Sequence, residues 1–433
     1  MCIRDREGNV VSGGGVSDLT TSASSQAIAI HAGDGDDTII ALSTASPGID
    51  LSADANAIGV AATLDITGSV EGSAAGGAAL SNARTDADAH ATGLSAGGGN
   101  DQITNATGIN ATTTATATAV SLGLSVGVSI DGDVKSGAAV SDASSRAVTQ
   151  ATGIDGGAGD DTIDSVAAGD DIIALSATSN ANGVAASFSV AGSVSGAANA
   201  GDALSEARTD ADALATGITG GTGVDTILSN TSIDATAEST ATAVAAGFSV
   251  GIGNEGNVTT GAVVSDASSL ATTRAVGIDG GADADTIGGD EGITGGIVLL
   301  ADSAAIGVAA SFSVAGSVEG TAQAGDALSE ARTDADASAI GIGGGTGGDT
   351  ITSATAIDAT AGSTSTAVSV AGSVGVTVEG DVSAGAAVSD VSSSAATQAT
   401  GIGGGAGDDT ITSATAGDFT ITTMADSEAN GVA

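Results

Sequence analysis

The chain has 433 residues, of which 52 are acidic and only 8 are basic, so its formal net charge at pH 7 is −44. This charge excludes nucleic acid as a natural partner, because phosphate contacts need Lys and Arg, and it repels anionic membrane surfaces. The longest apolar runs are too short, and too often interrupted by Gly and Ser, for membrane insertion.

The first six residues stand apart from the rest of the chain. Residues 1–6 hold the only Cys and two of the eight basic residues. They resemble translated adapter sequence, and we interpret them as a non-native leader. Residues 7–433 read as one continuous repeat array, which we expect to be truncated at both ends. With Cys2 set aside, no disulfide can stabilise the fold.

A repeat of 124 residues runs through this array. The triplet Asp-Thr-Ile begins at residues 37, 161, 285 and 409, and a second series begins at 101, 225 and 349 with Gln replacing Thr in its first copy. The two series alternate at spacings of 64 and 60 residues, so the basic unit has about 62 residues and the regular repeat is a pair of units. Such self-similarity indicates an architecture in which each unit buries its surface against its neighbours.

Strict alternation of residue types predicts long β-strands. In residues 110–130 the even positions become Val, Leu and Ile, while the odd positions stay Ala, Thr, Ser or Gly. Residues 202–218 also fit helical spacing. However, every second residue (one parity) has a small side chain in every copy, which a pleated strand explains and a helix does not. The pattern does not reveal which parity faces inward.

The predicted fold class is therefore all-β, as a repetitive elongated β-solenoid resembling a parallel β-helix. Either one unit of about 62 residues forms each coil, or about three narrower coils form each unit. Stacked long β-hairpins are the alternative. Because arms of ~20 residues would run ~65 Å, we expect kinks at Gly183 and Gly192.

Two kinds of turn separate the arms. One is Asp131-Gly132-Asp133 and its copies, in which Gly supplies the positive φ of a tight turn. The other is the glycine-rich stretch that precedes each Asp-Thr-Ile triplet, as in residues 156–164. It fits the nine-residue pattern G-G-x-G-x-D-x-U-x, in which U is a large apolar residue. Residues 220–228, 344–352 and 404–412 fit it throughout. The first Gly is Ala in residues 32–40 and 96–104, and Asp283 replaces the fourth-position Gly of a further copy.

At these turns the chain resembles the RTX family of secreted bacterial toxins, proteases and adhesins. The resemblance implies Ca²⁺ bound between the turns of neighbouring coils, with hard oxygen ligands. The implied ligands are Gly157, Gly159, Asp161, Gly221, Gly223, Asp225, Gly345, Gly347, Asp349, Gly405, Gly407 and Asp409. Each copy stands ~60 residues from the next, whereas the turns of that family follow one another directly. The alternative is a purely structural turn in which the Asp side chain caps turn amides.

Three further groups of polar residues are candidates for a functional role. Arg84, Arg208 and Arg332 each lie in Ala-Arg-Thr-Asp-Ala-Asp-Ala, either held between stacked carboxylates or on a solvated charged face, and the solvated face is favoured. His31 and His90 do not recur, so we interpret them as surface substitutions. The row Thr112, Thr114, Thr116 and Thr118 suggests ice or mineral binding, but it is confined to one unit.

These observations predict a non-catalytic structural segment of a large secreted or cell-surface bacterial protein, acting as a spacer or adhesin stalk. It resembles the β-strand-repeat and RTX-like regions of giant adhesins and exoproteins. The expected partners are other domains of the same polypeptide and components of the cell surface or extracellular matrix. A calcium-binding module that folds on export is the alternative, and ice or mineral binding is a further one. No enzyme is expected, because the repeats contain no Cys, no Tyr and no recurring His.

Overall fold

The computed structural model describes residues 9–43, 48–166, 171–414 and 419–433. In this part of the chain the named elements are 28 β-strands, which form four sheets of seven strands each. The predicted all-β solenoid is confirmed. No helix in the described ranges is long and apolar enough to cross a membrane. The leader expected at residues 1–6 lies outside them.

Each coil contributes one strand to each sheet. The first sheet has short strands: β1 (Val10–Val11), β5 (Ala74–Ala75), β9 (Val134–Lys135), β13 (Ala198–Asn199), β17 (Val258–Thr259), β21 (Ala322–Gln323) and β25 (Val382–Ser383). The second has long strands: β2 (Gly15–Asp34), β6 (Ala79–Gly98), β10 (Ala139–Ala158), β14 (Ala203–Thr222), β18 (Val263–Ala282), β22 (Ala327–Thr346) and β26 (Ala387–Gly403).

The third and fourth sheets complete the coil. The third has short strands: β3 (Thr38–Leu42), β7 (Gln102–Ala106), β11 (Thr162–Ser165), β15 (Thr226–Ser229), β19 (Thr286–Ile287), β23 (Thr350–Ser353) and β27 (Thr410–Ser413). The fourth has long strands: β4 (Ile49–Glu71), β8 (Ile109–Asp131), β12 (Ile172–Ser195), β16 (Ser232–Glu255), β20 (Ile297–Glu319), β24 (Ile357–Glu379) and β28 (Ile421–Val432).

Every strand pairs in parallel with its equivalents in the coils on either side, residue for residue. Phe188 of β12, for example, lies between Leu124 of β8 and Phe248 of β16. One unit of about 62 residues therefore forms one wide coil. The pairing between equivalent strands of successive coils excludes both stacked hairpins and the narrower helix of three coils per unit for the residues described.

The kinks expected at Gly183 and Gly192 are wrong, because β12 runs unbroken from Ile172 to Ser195. At ~3.3 Å per residue its 24 residues span ~79 Å. Gly183 has another purpose, since it points inward and a Cβ there would lie 3.0 Å from the methyl group of Thr209 on the facing sheet. Glycine at this position allows the sheets to approach, without bending the strand.

In both long sheets the alternating positions with small side chains face inward. The sequence pattern alone did not reveal this direction. Ala181, Ala185 and Ala207 are completely buried, whereas Val184 and Leu204 point outward and are partly exposed. The core between the two long sheets is thus built mainly from Ala, Ser and Gly. Residues 203–222 form β14, which confirms strand over helix.

Serine hydroxyl groups cross the narrow core and reach the backbone of the opposite sheet. Ser121 Oγ donates to the carbonyl of Ser81 at 2.8 Å, and Ser179 Oγ donates to that of Ala147 at 2.7 Å. Ser205 Oγ donates to Ala246 at 2.6 Å. Because a serine side chain is so short, the two backbones must lie well inside the ~10 Å that usually separates packed sheets.

Near the third sheet the core widens and larger side chains fill it. Three apolar columns meet there, one from each adjoining sheet, as shown by Ile154, Ile163 and Ile173, all of them fully buried. The Ile of the Asp-Thr-Ile triplet belongs to one of these columns. The Gly-Asp turn lies next to this isoleucine core, because in every coil the turn immediately precedes the buried Ile in the sequence.

We predict that this narrow core tolerates no added volume. Replacing Ala181 with Leu should lower the free energy of unfolding by about 1–3 kcal/mol or more, because neither backbone can move without breaking its ladder. The matched control is Ala186→Leu, which points outward in the same strand and pairs with Leu122. Denaturant unfolding of both variants measures the difference, and equal stabilities would contradict the close packing.

Candidate functional site at the stacked Gly-Asp turns

The Gly-Asp turns of successive coils stack in one column beside the third sheet. The amide of Asp161 donates to Asp225 Oδ1, and the amide of Asp225 donates to Asp285 Oδ1, each at 2.8 Å. These three Asp residues therefore lie along one edge of the stack. The same bond links every pair of neighbouring coils from Asp37 to Asp409.

Positive backbone φ angles explain the glycines of the turn. Gly157 has φ 103° and Gly159 has φ 123°, and the equivalent glycines of the other coils share this conformation. Asp283 occupies the fourth-position Gly site of its coil with φ 78°, and it is the one non-Gly residue with positive φ in the described part of the chain. The turn geometry is therefore imposed by the stack, even where the sequence departs from the motif.

Two successive side chains of the turn bond in opposite directions along the stack. Asp161 Oδ1 accepts from the amide of Asp101 in the preceding coil, whereas Asp160 Oδ1 accepts from the amide of Val224 in the following coil. The Asp side chains do cap amides, as the structural alternative proposed. They cap those of neighbouring coils, and so they fasten coil to coil.

The second oxygen of each buried aspartate has no hydrogen-bond partner. The Oδ2 atoms of Asp161, Asp225, Asp285 and Asp349 are buried, and these residues are at most 1% exposed. Each Oδ2 faces the first Gly of its own motif, where a Cβ at Gly156 would lie only 2.8 Å from Asp161 Oδ2. An unpartnered ionised oxygen in a buried site is costly, and a cation beside it would offset that cost.

Burial raises the pKa of three aspartates in this column. Burial raises the pKa of Asp225 to about 7; the hydrogen bond from the Asp161 amide opposes the shift, and the charges of Asp285 and Asp161 add to it. Burial likewise raises the pKa of Asp285 to about 6 and raises that of Asp161. Carboxyl groups stacked in consecutive coils cannot all ionise at little cost.

The donor atoms match calcium in kind and fall short of it in number. The structure brings the glycines at 157, 221, 281, 345 and 405 into register, coil over coil, and places the aspartates in single file. Each coil offers one free carboxylate oxygen, whereas Ca²⁺ takes 6–8 oxygen ligands. Within the described ranges, no three acidic, His or Cys side chains form a group that could hold a metal ion.

The arginines lie on the outer face of the second sheet, and one of them was missed. Arg208 pairs with Glu206 and Arg332 with Glu330, two residues earlier on the same strand. Arg146 was not singled out, yet it reaches Asp86 at 3.8 Å and Asp210 at 3.7 Å on the flanking strands. The strand register alone could have identified this pairing. All of these side chains are substantially exposed, so each pair contributes at most ~1 kcal/mol.

The remaining candidates lie on outer surfaces. His31 is exposed and contacts Ser95 Oγ at 3.2 Å, as expected of a surface substitution. The threonine row of β8 faces outward on the fourth sheet. Two coils away the position of Thr114 is occupied by Glu238, which interrupts the row.

Comparison with protein-family models, with curated proteins and with solved structures gave no match to this chain.

We predict that the aspartate column makes the fold less stable as pH rises toward neutrality. The folded-state pKa of Asp225 lies above its ordinary value of 3.8, so between 3.8 and about 7 the folded chain binds more protons than the unfolded chain. The free energy of unfolding therefore falls as pH rises through this range. Urea unfolding between about pH 5 and 7, in the presence of a chelator, measures the slope.

The control for this prediction removes the same charge elsewhere. Asp225→Asn with Asp285→Asn should flatten the slope, whereas Asp234→Asn, which changes an exposed residue of the same coil as Asp225, should leave it unchanged. A slope that survives the first variant would show that other carboxylates cause it.

Proposed function

We propose that the chain is a non-catalytic structural repeat segment of a large secreted or cell-surface bacterial protein, where it serves as a stiff stalk or spacer. The observation that supports this role is the unbroken register of seven coils, in which four sheets continue from one end of the stack to the other. A stack of this kind transmits force through backbone hydrogen bonds between coils. It would hold other domains of the same polypeptide away from the bacterial surface.

The dimensions give this stalk an unusual shape. Each coil of about 62 residues adds only ~4.8 Å along the stack, so seven coils rise ~34 Å while the long strands span ~79 Å across. The segment is therefore a wide slab. A segment of this shape supplies stiffness, and broad faces that would contact cell-surface or matrix components. It supplies little length along the stack.

Single-molecule force spectroscopy tests the mechanical role. With the chain pulled from its two ends, coils should peel off one by one, each releasing about 62 residues, or roughly 220 Å of contour length at ~3.6 Å per residue. Regularly spaced force peaks are expected. Extension without peaks, as a compliant polymer, would contradict a load-bearing stalk.

A deletion that respects the register is the matched control. Removing residues 161–284 takes out one 124-residue repeat and joins Asp160 to Asp285, so the remaining coils should stack as before and show two fewer peaks. Removing residues 161–191, about half a coil, should abolish the regular pattern.

Calcium binding at the stacked turns is the second candidate function, and one observation favours it. The column of buried, unpartnered Oδ2 atoms needs neutralisation, and hard carboxylate and carbonyl oxygens are the ligands that Ca²⁺ prefers. Asp161 and its equivalents would supply the charge, and the turn carbonyls of Gly157 and Gly159 would supply further oxygens. A cation bound only by the folded chain would then stabilise it.

Thermal melts at matched ionic strength test this second candidate. Millimolar Ca²⁺ should raise the melting temperature of the wild type, and NaCl or Mg²⁺ should not replace it, since screening depends on ionic strength alone. The quadruple variant Asp161→Asn, Asp225→Asn, Asp349→Asn and Asp409→Asn should lose the response. If NaCl stabilises both proteins as well as Ca²⁺ does, the turns bind no calcium.

A further inference from the structure

The outer face of the fourth sheet carries a large apolar area near its edge with the first sheet. We call it the apolar face and define it by the outward-pointing residues of Val60–Val70 in β4 and their partners in β8, β12, β16, β20 and β24. These residues form six columns across six coils. Asn254 is the only polar residue among them, and none carries a charge.

The apolar face is exposed to solvent in the inner coils as well as at the outermost strand. Val60 and Val70 of β4, the outermost strand, are 61% exposed, and Ile252 of the inner strand β16 is also 61% exposed. At the centre of the face the ring of Phe248 stacks on those of Phe188 and Phe312, with centroids 5.0 and 5.6 Å apart. With outward residues ~6.6 Å apart along each strand and strands ~4.8 Å apart, the face covers about 1,000 Å².

An area of this size is unusual on a monomer. The largest apolar patch of a typical soluble monomer covers about 300–600 Å². Here it belongs to a chain with a net charge of −44, whose second sheet carries Asp, Glu and Arg on its own outer surface. Charge is therefore present on one side of the slab and excluded from part of the other, as expected where a partner covers the surface.

One column of the apolar face alternates between knobs and pits. Gly68, Gly192 and Gly316 alternate there, coil by coil, with Val128, Ile252 and Val376. None of these glycines has a positive φ, and a Cβ on any of them would have no neighbour closer than 3.8 Å. The fold itself thus gives no reason for glycine in mid-strand, where it weakens a sheet. Close approach of another chain is the usual remaining reason.

We propose that the apolar face binds a second copy of this chain, face to face, with the exposed Val and Ile knobs of one copy packed into the glycine pits of the other. Two such faces would bury about 2,000 Å² in total, within the range of specific interfaces of 1,600 ± 400 Å². Because knobs and pits alternate with the coils, a shift of one coil makes the surface complementary to itself. The contact is an ordinary packing of two sheets, which the smooth pleated face favours.

Sedimentation equilibrium of the full chain tests the proposal. The wild type should form a dimer, and Val250→Glu should weaken association by roughly 100-fold or more, because it buries an unpaired charge at the centre of the interface. The matched control Thr240→Glu lies on the same strand outside the apolar face, where the paired column already contains Glu428, and should still dimerise.

A second variant separates association from folding. Gly68→Val, Gly192→Val and Gly316→Val fill the pits, for which there is room, so the monomer should remain folded by circular dichroism while dimerisation is lost. The outermost strands of the stack offer a competing mode of association, in which two chains pair end to end. Association that is unchanged in both variants would establish that mode and overturn the proposal.

A monomeric wild type at ~100 μM, well above the Kd of a standard interface, would also overturn it. If that monomer bound phosphatidylcholine vesicles and Val250→Glu did not, the occupant of the apolar face would be a lipid surface and not a second copy.

Discussion

The close approach of the two long sheets is the constraint on which the rest of the structure depends. Hydroxyl groups of Ser179 and Ser205 reach carbonyls of the opposite sheet, so the residues between the backbones along most of the coil are small, mainly Ala, Ser and Gly with some Thr. The usual distribution of side chains, with large apolar residues inside the protein, is reversed as a result. Val, Leu and Phe are displaced to the outer surface, and a hydrophobic content of 41% does not produce a conventional core. Stability must come largely from the backbone ladders and from dense packing of small groups.

Parallel stacking of the coils in register accounts for a repeat that is a pair of coils. Parallel stacking in register places equivalent residues ~4.8 Å apart, so identical units would pile like charges on one another. In the second sheet, Asp86, Asp210 and Asp334 alternate with Arg146, Leu270 and Ser394. Like charges in this column are thereby moved to ~9.6 Å, close to the screening length in physiological salt. The doubling of the unit reduces repulsion in a strongly acidic chain.

Some columns escape this alternation, and two of them show the electrostatic consequences. Asp142, Glu206 and Asp266 follow one another in consecutive coils. Burial raises the pKa of Asp142, and the charges of Arg208 and Arg84 oppose that shift. The arginines of the repeated Ala-Arg-Thr-Asp motif thus stand beside an outer column that is acidic in every described coil except the one that carries Asn82. In the inner Asp161 column, burial raises the pKa of Asp225 and Asp285, and no arginine is among the causes that oppose the shift.

Much of the fold could be predicted from the sequence, because the repeat period and the alternation of small and large residues are both visible there. The period fixed which residues stack, including Asp161 over Asp225, and the parity gave strands where helical spacing also fitted. The direction of the parity could not be read, since the rule that large apolar residues face inward fails when two sheets lie this close. The expected kink at Gly183 failed for the same reason, since that Gly serves a contact with the opposite sheet.

The residues of the candidate site could be predicted from the sequence, but the hydrogen bonds between them could not. The motif located the turn glycines and the aspartates, but hydrogen bonds between coils depend on stacking geometry that no single unit contains. Arg146 was overlooked because it does not recur at the 124-residue period. Its partners Asp86 and Asp210 lie 60 and 64 residues away, so only the pairing of the two half-repeats reveals them.

The apolar area and the negative charge of the stack both increase with the number of coils. Each added 124-residue repeat raises the stack by ~9.6 Å and extends the apolar face in proportion, so the area available to a partner grows linearly with repeat number. It also adds two aspartates to the inner column and further negative charge to the second sheet, which opposes association at long range. Repeat number therefore sets a balance between a short-range apolar attraction and a repulsion that salt screens. A longer natural array would associate more strongly through this face, and the effect of salt on that association would increase with its length.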